Sequence, residues 1–222
     1  MGSQVAIGSE SYGTPLTLVC FAVKEEARFF SPPRNCEAFV TGMGRKNALE
    51  GIREGLSETN PALVITAGFA GGLNPDLKVG AVVFDEDTGV GLETRLQECS
   101  AVRGKFHCSR RVATTAAEKQ ELWKTTGADA VEMESSVIRT ICHQQGIPSA
   151  TIRVISDSAA EDLPLDFNAL MTSNDRINYP KLIWQLLCRP KNIPRLMKFQ
   201  EQTVLAARNL GEALRRSLTG RV

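Results

Sequence analysis

The chain has 222 residues, of which 42% are hydrophobic and 23% are charged, as is ordinary for a single globular domain. The net charge of +1 hides an asymmetry, because residues 181–222 carry nine basic and two acidic side chains, so this segment has charge +7 and the rest −6. The longest apolar run, Leu18 to Val23, is much shorter than the ~20 residues of a membrane span, which argues against an integral membrane protein.

Several features bear on location and domain organisation. Residues 1–14 lack the basic start and apolar stretch of a signal peptide, which predicts a cytoplasmic protein. Six cysteines without a Cys-x-x-Cys pair, together with only two histidines, predict reduced thiols and no metal site. We expect residues 1–14 to be a flexible N-terminus and residues 15–222 to form one domain with a basic, helical C-terminal segment over 181–222.

Apolar and β-branched runs bounded by Gly, Pro or Asn predict strands, and amphipathic spacing predicts helices. The predicted strands are Leu16–Val23, Cys36–Val40, Pro61–Ala67, Gly80–Phe84, Ala128–Val131 and Ser149–Ile155. The predicted helices are Arg45–Glu58, Ala113–Thr126, Glu134–Gln145 and Gln200–Leu218. This alternation predicts an α/β fold with a mostly parallel or mixed sheet covered by helices on both faces. The polar, glycine-interrupted stretch Asp85–Cys108 gives no clear prediction.

Two acidic residues follow the ends of apolar strands. Glu134 comes just after Ala128–Val131, and Asp157 comes just after Ser149–Ile155, with an amphipathic helix between them. Ligands of open α/β sheets bind in the crevice at the carboxyl ends of strands. The two carboxylates are therefore predicted to line a ligand crevice.

Five motifs, in order along the chain, give this sequence a family resemblance. They are Ala22–Ala27, Thr41–Ala48, Thr66–Leu73 with Asp76–Gly80, Val131-Glu-Met-Glu-Ser135, and Arg153-Val-Ile-Ser-Asp157. Together they resemble the nucleoside phosphorylase and nucleosidase superfamily, whose members cleave the N-glycosidic bond of nucleosides. The resemblance implies a three-layer αβα sandwich around a mixed central sheet, with no metal or organic cofactor and with phosphate as a conceivable co-substrate.

The resemblance assigns the role of general acid to Asp157. The departing purine must gain a proton, usually at N7, and a carboxylic acid in a poorly hydrated pocket can supply it. The alternative is that Asp157 caps the following turn, because Ser-Asp-Ser is also good capping chemistry.

Two neighbouring residues are expected to hold the sugar. Glu134 would accept hydrogen bonds from the ribose hydroxyls, and Met133 would pack its thioether against sugar and base. The alternative is that Glu132 and Glu134 simply favour a helix N-terminus through the helix dipole.

A third carboxylate follows the first strand. In the nucleosidase branch a glutamate at the position of Glu26 activates the attacking water, and the arginine at the position of Arg153 helps to hold it. The alternative is that Glu26 is a solvated residue in the first turn of a helix.

Gly42-Met-Gly44 could present N–H groups to an anion, with Arg45 as a phosphate ligand.

Further substrate contacts are expected from two strand ends. The small residues of Gly68-Phe-Ala-Gly-Gly72 let the backbone approach a ligand closely, which places Gly68, Phe69 and Ala70 in the site together with Ser156. Many family members have a hydroxyl residue where this chain has Phe69, and phosphorylases place an arginine near this loop, which this chain lacks. The missing arginine, together with Glu26, favours water over phosphate as the acceptor, whereas Phe69 is compatible with a catalytically silent nucleoside-binding protein.

The C-terminal part of the chain bears on the substrate. Leu186–Met197 is similar to the end of hopanoid-associated phosphorylases, which implies an adenosyl-lipid substrate and phosphate as acceptor. The alternatives are a methylthioadenosine or adenosylhomocysteine nucleosidase, and a catalytically silent nucleoside-binding protein.

The expected partners are a small-molecule nucleoside and a second copy of the chain, as a homodimer or larger assembly, with no nucleic acid. Residues 181–199 mix apolar and basic side chains, which predicts peripheral contact with the inner membrane surface. The alternative is that these apolar residues pack on the domain itself or on a partner subunit.

Overall fold

The computed structural model describes residues 15–170, 172 and 192–219. The expected flexible N-terminus and residues 186–191, the first half of the segment that resembles hopanoid-associated phosphorylases, lie outside these residues. The strands are β1 (Thr17–Phe21), β2 (Cys36–Val40), β3 (Leu63–Gly72), β4 (Val82–Glu86), β5 (Val102–Arg103), β6 (Phe106–Cys108), β7 (Ala130–Glu132) and β8 (Ser149–Asp157). The helices are α1 (Lys24–Ala27), α2 (Gly44–Glu58), α3 (Glu93–Glu98), α4 (Ala116–Thr126), α5 (Ser135–Gln144), α6 (Phe167–Leu170) and α7 (Ile193–Leu218).

The central sheet is mixed, as predicted. Its strand order is β2-β1-β3-β8-β4-β5, and the strands from β2 to β8 in this order are parallel. Strand β4 runs antiparallel to β8, and β7 pairs antiparallel with the last residues of β3 and parallel with β6. The polar stretch without a sequence prediction forms α3, β5 and β6, and its two strands pair with β4 and β7 of this sheet.

Alternating side chains of the strands bury two apolar layers. Leu18 and Val64 pack with the apolar face of α5, which includes Ile138 and Ile141 as its spacing predicts. Val19 and Ile65 point to the opposite face and pack with α7. Helices therefore cover both faces, which confirms the three-layer αβα sandwich.

The two central strands are longer than predicted, and their extra residues build the site. Strand β3 continues to Gly72 and β8 continues to Asp157, beyond the apolar runs that predicted them. The register between them shifts at the end, where Ala70 pairs with Ile155 but Gly71 pairs with Asp157. Ser156 is the additional residue of this bulge, and such bulges redirect the side chains at strand ends.

The C-terminal helix α7 is longer than predicted. Helix α7 begins at Ile193, seven residues before the predicted start, and Pro194 lies in its first turn, where a missing N–H costs no hydrogen bond. Ile193 and Met197 are exposed on this helix, whereas Leu210 and Leu214 are buried.

Among the described residues, no helix is long and apolar enough to cross a membrane.

Candidate active site

An open cavity of about 880 Å³ lies where β1, β3 and β8 end. Most of the residues predicted from the motifs line it, namely Glu26, Phe69, Ala70, Met133, Glu134, Ser156 and Asp157. Two predicted residues, Gly68 and Arg153, lie beneath the cavity, where Arg153 is only 1% exposed. The structure therefore gathers the predicted residues from four separate stretches of the chain into one site.

Glu26 is buried and held by backbone N–H groups. It lies in α1, and its Oε2 accepts from the N–H of Ala22 at 2.8 Å and of Val23 at 3.2 Å. Its Oε1 accepts from the N–H of Phe69 at 2.8 Å, which ties α1 to β3. Burial raises the pKa of Glu26 above its ordinary value, although Arg153 and these N–H groups oppose the shift. A fixed carboxylate with a raised pKa is a stronger base than an ordinary carboxylate, which suits it to accept a proton.

Arg153 makes different contacts from those expected. Its Nη2 donates to Glu132 Oε2 at 2.7 Å and to Thr66 Oγ1 at 3.1 Å, and lies 3.5 Å from Glu134 Oε2. No ion pair joins it to Glu26 in the described part of the chain, so its effect on Glu26 is electrostatic. The reason is local, because Glu132 lies closer and backbone N–H groups already occupy the Glu26 carboxylate.

Gly68 explains how Arg153 and Glu26 come so near to each other. A Cβ atom at residue 68 would lie 2.3 Å from Arg153 Nη1 and 2.5 Å from Glu26 Oε1. Any side chain there would overlap both charged groups. Gly68 thus acts by leaving space beneath the cavity.

Glu132 belongs to this cluster, although the sequence assigned it no role beyond a helix N-terminus. Its carboxylate accepts from the N–H groups of Glu134 and Ser135 at the start of α5 and from Ser135 Oγ. Burial alone would raise its pKa, but Arg153 and these donors hold the pKa of Glu132 below its ordinary value. Glu132 is therefore the ionised partner of Arg153.

Glu134 lies on the cavity wall above this pair. Its Oε1 accepts from the N–H of Gly44 at 2.8 Å, and both Gly42 and Gly44 have positive φ in this turn. The glycine turn therefore presents an N–H group to a carboxylate of the protein, whereas the Arg45 side chain is exposed and does not line the cavity. Burial raises the pKa of Glu134 to about 7; Arg153 opposes this shift, and Glu132 and Glu26 add to it.

Asp157 is held by two side chains. Lys119 Nζ lies 2.5 Å from Asp157 Oδ2, and Ser156 Oγ donates to Asp157 Oδ1 at 2.7 Å. The turn that follows uses another carboxylate, because the N–H of Ser158 donates to Glu161. The capping alternative for Asp157 is thus not what the structure contains.

Lys119 and several lining residues were not found from the sequence. Lysine is seldom fully buried, and nothing in the helical pattern over Ala113–Thr126 distinguishes Lys119, which is 0% exposed, from a surface lysine. The missed lining residues come from segments between the motifs and from α7, and include Val112, Ala113, Phe167, Phe199 and Thr203. Their positions depend on how distant segments pack, which a local pattern does not encode.

The described cavity lining is strongly acidic. It contains the carboxylates of Glu25, Glu26, Glu50, Glu54, Glu132, Glu134 and Asp157. Among the described residues, Arg111 is the one cationic side chain of this lining, and it already forms an ion pair with Glu118. The described lining therefore offers an anionic ligand many carboxyl groups and one cation that is already paired.

Known proteins share part of this sequence pattern and the whole of this fold. Residues 93–178 match the model of the phosphorylase superfamily. The fold is similar to that of 5′-methylthioadenosine/S-adenosylhomocysteine nucleosidase from Helicobacter pylori, with 16% identity, 93% of this chain and 98% of that chain covered, and a TM-score of 0.67. It is also similar to futalosine hydrolase of Helicobacter pylori, with 17% identity, 92% and 97% covered, and a TM-score of 0.66.

A third solved structure, a 5′-methylthioadenosine/S-adenosylhomocysteine nucleosidase from Neisseria meningitidis, shares 21% identity, with 91% of this chain and 98% of that chain covered and a TM-score of 0.65. The mixed sheet and its cavity thus define the fold class of nucleoside phosphorylases and nucleosidases. Residues 93–178 thus resemble the phosphorylase superfamily, and the fold of the chain is that of these nucleosidases.

Proposed function

We propose that this protein hydrolyses the N-glycosidic bond of a 5′-substituted purine nucleoside, with adenine as the base and water as the acceptor. The observation that carries the proposal is the Glu26 carboxylate, which is buried, bound by three backbone N–H groups and raised in pKa at the wall of the cavity. The match of residues 93–178 to the phosphorylase superfamily supports the reaction class.

On the sugar side, two carboxylates have separate tasks. Water attacks C1′ of the sugar, and Glu26 takes the proton of this water as the new C–O bond forms. Glu134, when ionised, accepts hydrogen bonds from ribose hydroxyls and places negative charge near the developing oxocarbenium ion. The Gly44 N–H donates to Oε1 of Glu134, and Oε2, which lies 3.5 Å from Arg153 Nη2, has a further lone pair for a ribose hydroxyl.

On the base side, Asp157 supplies a proton. The electron pair of the breaking C1′–N9 bond moves onto the purine, and Asp157 protonates the purine at N7 as this charge develops. The Ser156 hydroxyl holds one oxygen of Asp157 and so orients the carboxyl group. Water attack and proton donation then occur on opposite sides of C1′.

The charge of the cavity favours water over phosphate. Phosphate would need cationic or N–H donors near C1′, but Arg153 is committed to Glu132 and Arg111 to Glu118. Electrostatic repulsion by the ionised carboxylates of the lining would add to the free-energy cost of binding phosphate. These contacts support hydrolysis rather than phosphorolysis.

The apolar part of the lining supports an apolar 5′ substituent. Val40, Met43, Phe167 and Phe199 contribute to the cavity, and Val40 is 44% exposed at its open side. A thioether or a longer alkyl chain at the 5′ position would bury apolar surface against such side chains. An adenosyl-lipid is one member of this substrate class.

The test is release of free adenine, followed by chromatography. The purified protein is incubated with adenosine, 5′-methylthioadenosine, S-adenosylhomocysteine and a 5′-alkylthioadenosine of longer chain, each with and without phosphate. We expect adenine and the free sugar at equal rates in both conditions, with the rate increasing for apolar 5′ groups. A sugar 1-phosphate formed only with phosphate would contradict hydrolysis, and binding without release of base would indicate a silent binding protein.

A further inference from the structure

Lys119 is a buried cation attached to the candidate general acid. Its side chain is 0% exposed, and its Nζ contacts Asp157 Oδ2 at 2.5 Å, the Ser158 carbonyl oxygen at 2.8 Å and the Glu161 carbonyl oxygen at 2.8 Å. An ammonium group has three N–H donors, so these three acceptors satisfy it completely. The proposed roles of Glu26, Glu134 and Asp157 do not by themselves require a buried cation at this place.

The position of Lys119 is fixed from both sides of this contact. The turn after β8 is attached to the start of α4, because the N–H of Ala116 donates to Asp162 Oδ1 at 2.8 Å and the N–H of Leu163 donates to the Thr114 carbonyl oxygen at 2.8 Å. Thr115 caps α4 by accepting from the N–H of Glu118. The ammonium group is therefore held in place independently of Asp157.

We propose that Lys119 is a positioning residue that orients the Asp157 carboxyl group and stabilises the carboxylate that remains after proton transfer to the base. This inference rests on the proposed function. Asp157 enters this step protonated, with a proton taken from solvent. As the C1′–N9 bond breaks, its electron pair moves to the purine and the Asp157 proton passes to N7, which leaves a carboxylate on Asp157 beside Lys119. A preorganised ammonium group next to this developing charge lowers the barrier without moving.

Other charged groups near this turn have partners of their own. The Glu161 side chain pairs with Lys198 and Gln202 of α7, the Arg195 guanidinium donates to the Asp162 carbonyl oxygen, and Arg111 pairs with Glu118. Within the described residues, Lys119 is the one cation paired with Asp157. Its contribution can therefore be removed separately from theirs.

The first test replaces the ammonium group with an apolar group of similar length. We expect Lys119→Met to lower kcat for nucleosides by about 10²-fold, which is the usual loss when one fixed donor to a developing charge is removed. The matched control is Lys198→Met, which removes a cation from the same turn without touching Asp157, and which should change kcat by less than about twofold. Thermal melting and circular dichroism establish that each variant is folded.

The second test asks whether Lys119 acts through Asp157. In the Asp157→Asn background, Lys119→Met should lower kcat by less than about threefold, because the charge that Lys119 stabilises no longer forms. With a 4-nitrophenyl riboside, whose leaving group needs no proton, Lys119→Met should retain most of the wild-type rate. A purely structural role would lower the rate for both kinds of substrate.

Three results would overturn the assignment: wild-type kcat for nucleosides in Lys119→Met, equal losses with nucleosides and with the nitrophenyl riboside, or fully multiplicative effects in the double variant. These failures presuppose an active wild-type enzyme and leave the proposed function intact. Absence of base release by the wild-type protein from every nucleoside tested would instead overturn the proposed function and this inference with it.

Discussion

Two clusters of carboxylates lie at opposite ends of β8, and they differ in charge balance. At the amino end, Asp87 accepts hydrogen bonds from Arg139, Ser149 and His143, and Arg139 also pairs with Asp85. At the carboxyl end, three buried glutamates surround a single arginine, Arg153; they are Glu26, Glu132 and Glu134.

The pKa of Asp87 at one end and the pKa values of Glu26 and Glu134 at the other move in opposite directions. Burial alone would raise the pKa of Asp87, but hydrogen bonds from Arg139, His143 and Ser149 hold it well below its usual range. Burial raises the pKa of Glu26 and Glu134, since Arg153 is shared among three carboxylates. The number of cations per carboxylate, together with burial, therefore decides whether a carboxyl group in such a cluster stays ionised or, like Glu134, exchanges a proton near neutral pH.

The largest expected effect comes from the base side of the cavity. Asp157→Asn keeps the shape of the side chain but removes the transferable proton, so we expect kcat to fall by about 10²-fold or more with little change in KM. Steady-state kinetics with the best nucleoside substrate measures both constants. An unchanged kcat would show that Asp157 is not the proton donor.

A smaller effect is expected at Glu134, where protonation itself can be followed. Because the pKa of Glu134 is about 7 and the ionised form accepts the ribose hydroxyls, kcat/KM should rise as pH increases through about 7. Glu134→Gln should lower kcat/KM by about tenfold at high pH and flatten this rise. The penalty should be smaller for 2′-deoxyribonucleosides, and equal penalties for both sugars would indicate a structural role.

The smallest effect on catalysis is expected at the other end of β8. Asp87→Asn removes a charge that Arg139 and His143 share, so we expect a loss of about 1–3 kcal/mol in the free energy of unfolding, with kcat changed less than twofold. The folded-state pKa of Asp87 is lowered, so its stabilising effect is present above the ordinary value of 3.8 and is lost as the pH falls through the lowered value. Urea unfolding at neutral and at acidic pH checks this, and the two proteins should converge in acid.

Part of the fold and site could be predicted because it depends on local pattern. The strand Cys36–Val40 is found as predicted, and α2 and α5 begin within one residue of their predicted starts. Glu134 and Asp157 were located because each follows an apolar run, and the geometry of an α/β sheet brings such ends together.

The remaining features depend on contacts between distant parts of the chain. Arg153 pairs with Glu132 rather than Glu26, and this choice is made by the packing of β7, β3 and β8. Lys119 contacts Asp157 across 38 positions of sequence, and the register shift at Ser156 appears only when β8 pairs with β3. Hydrophobic periodicity carries no information about which buried charges meet.

The empty position at residue 68 limits how this site can vary. The space that a methyl group would need is already filled by the ends of Arg153 and Glu26, so even alanine would push these groups apart. Substitutions of cavity-wall residues such as Val112 and Phe167 can therefore change substrate preference. A substitution of Gly68 beneath the cavity cannot, because it would displace Arg153 and Glu26. The site therefore requires glycine at residue 68, because only a hydrogen atom fits beside the ends of Arg153 and Glu26.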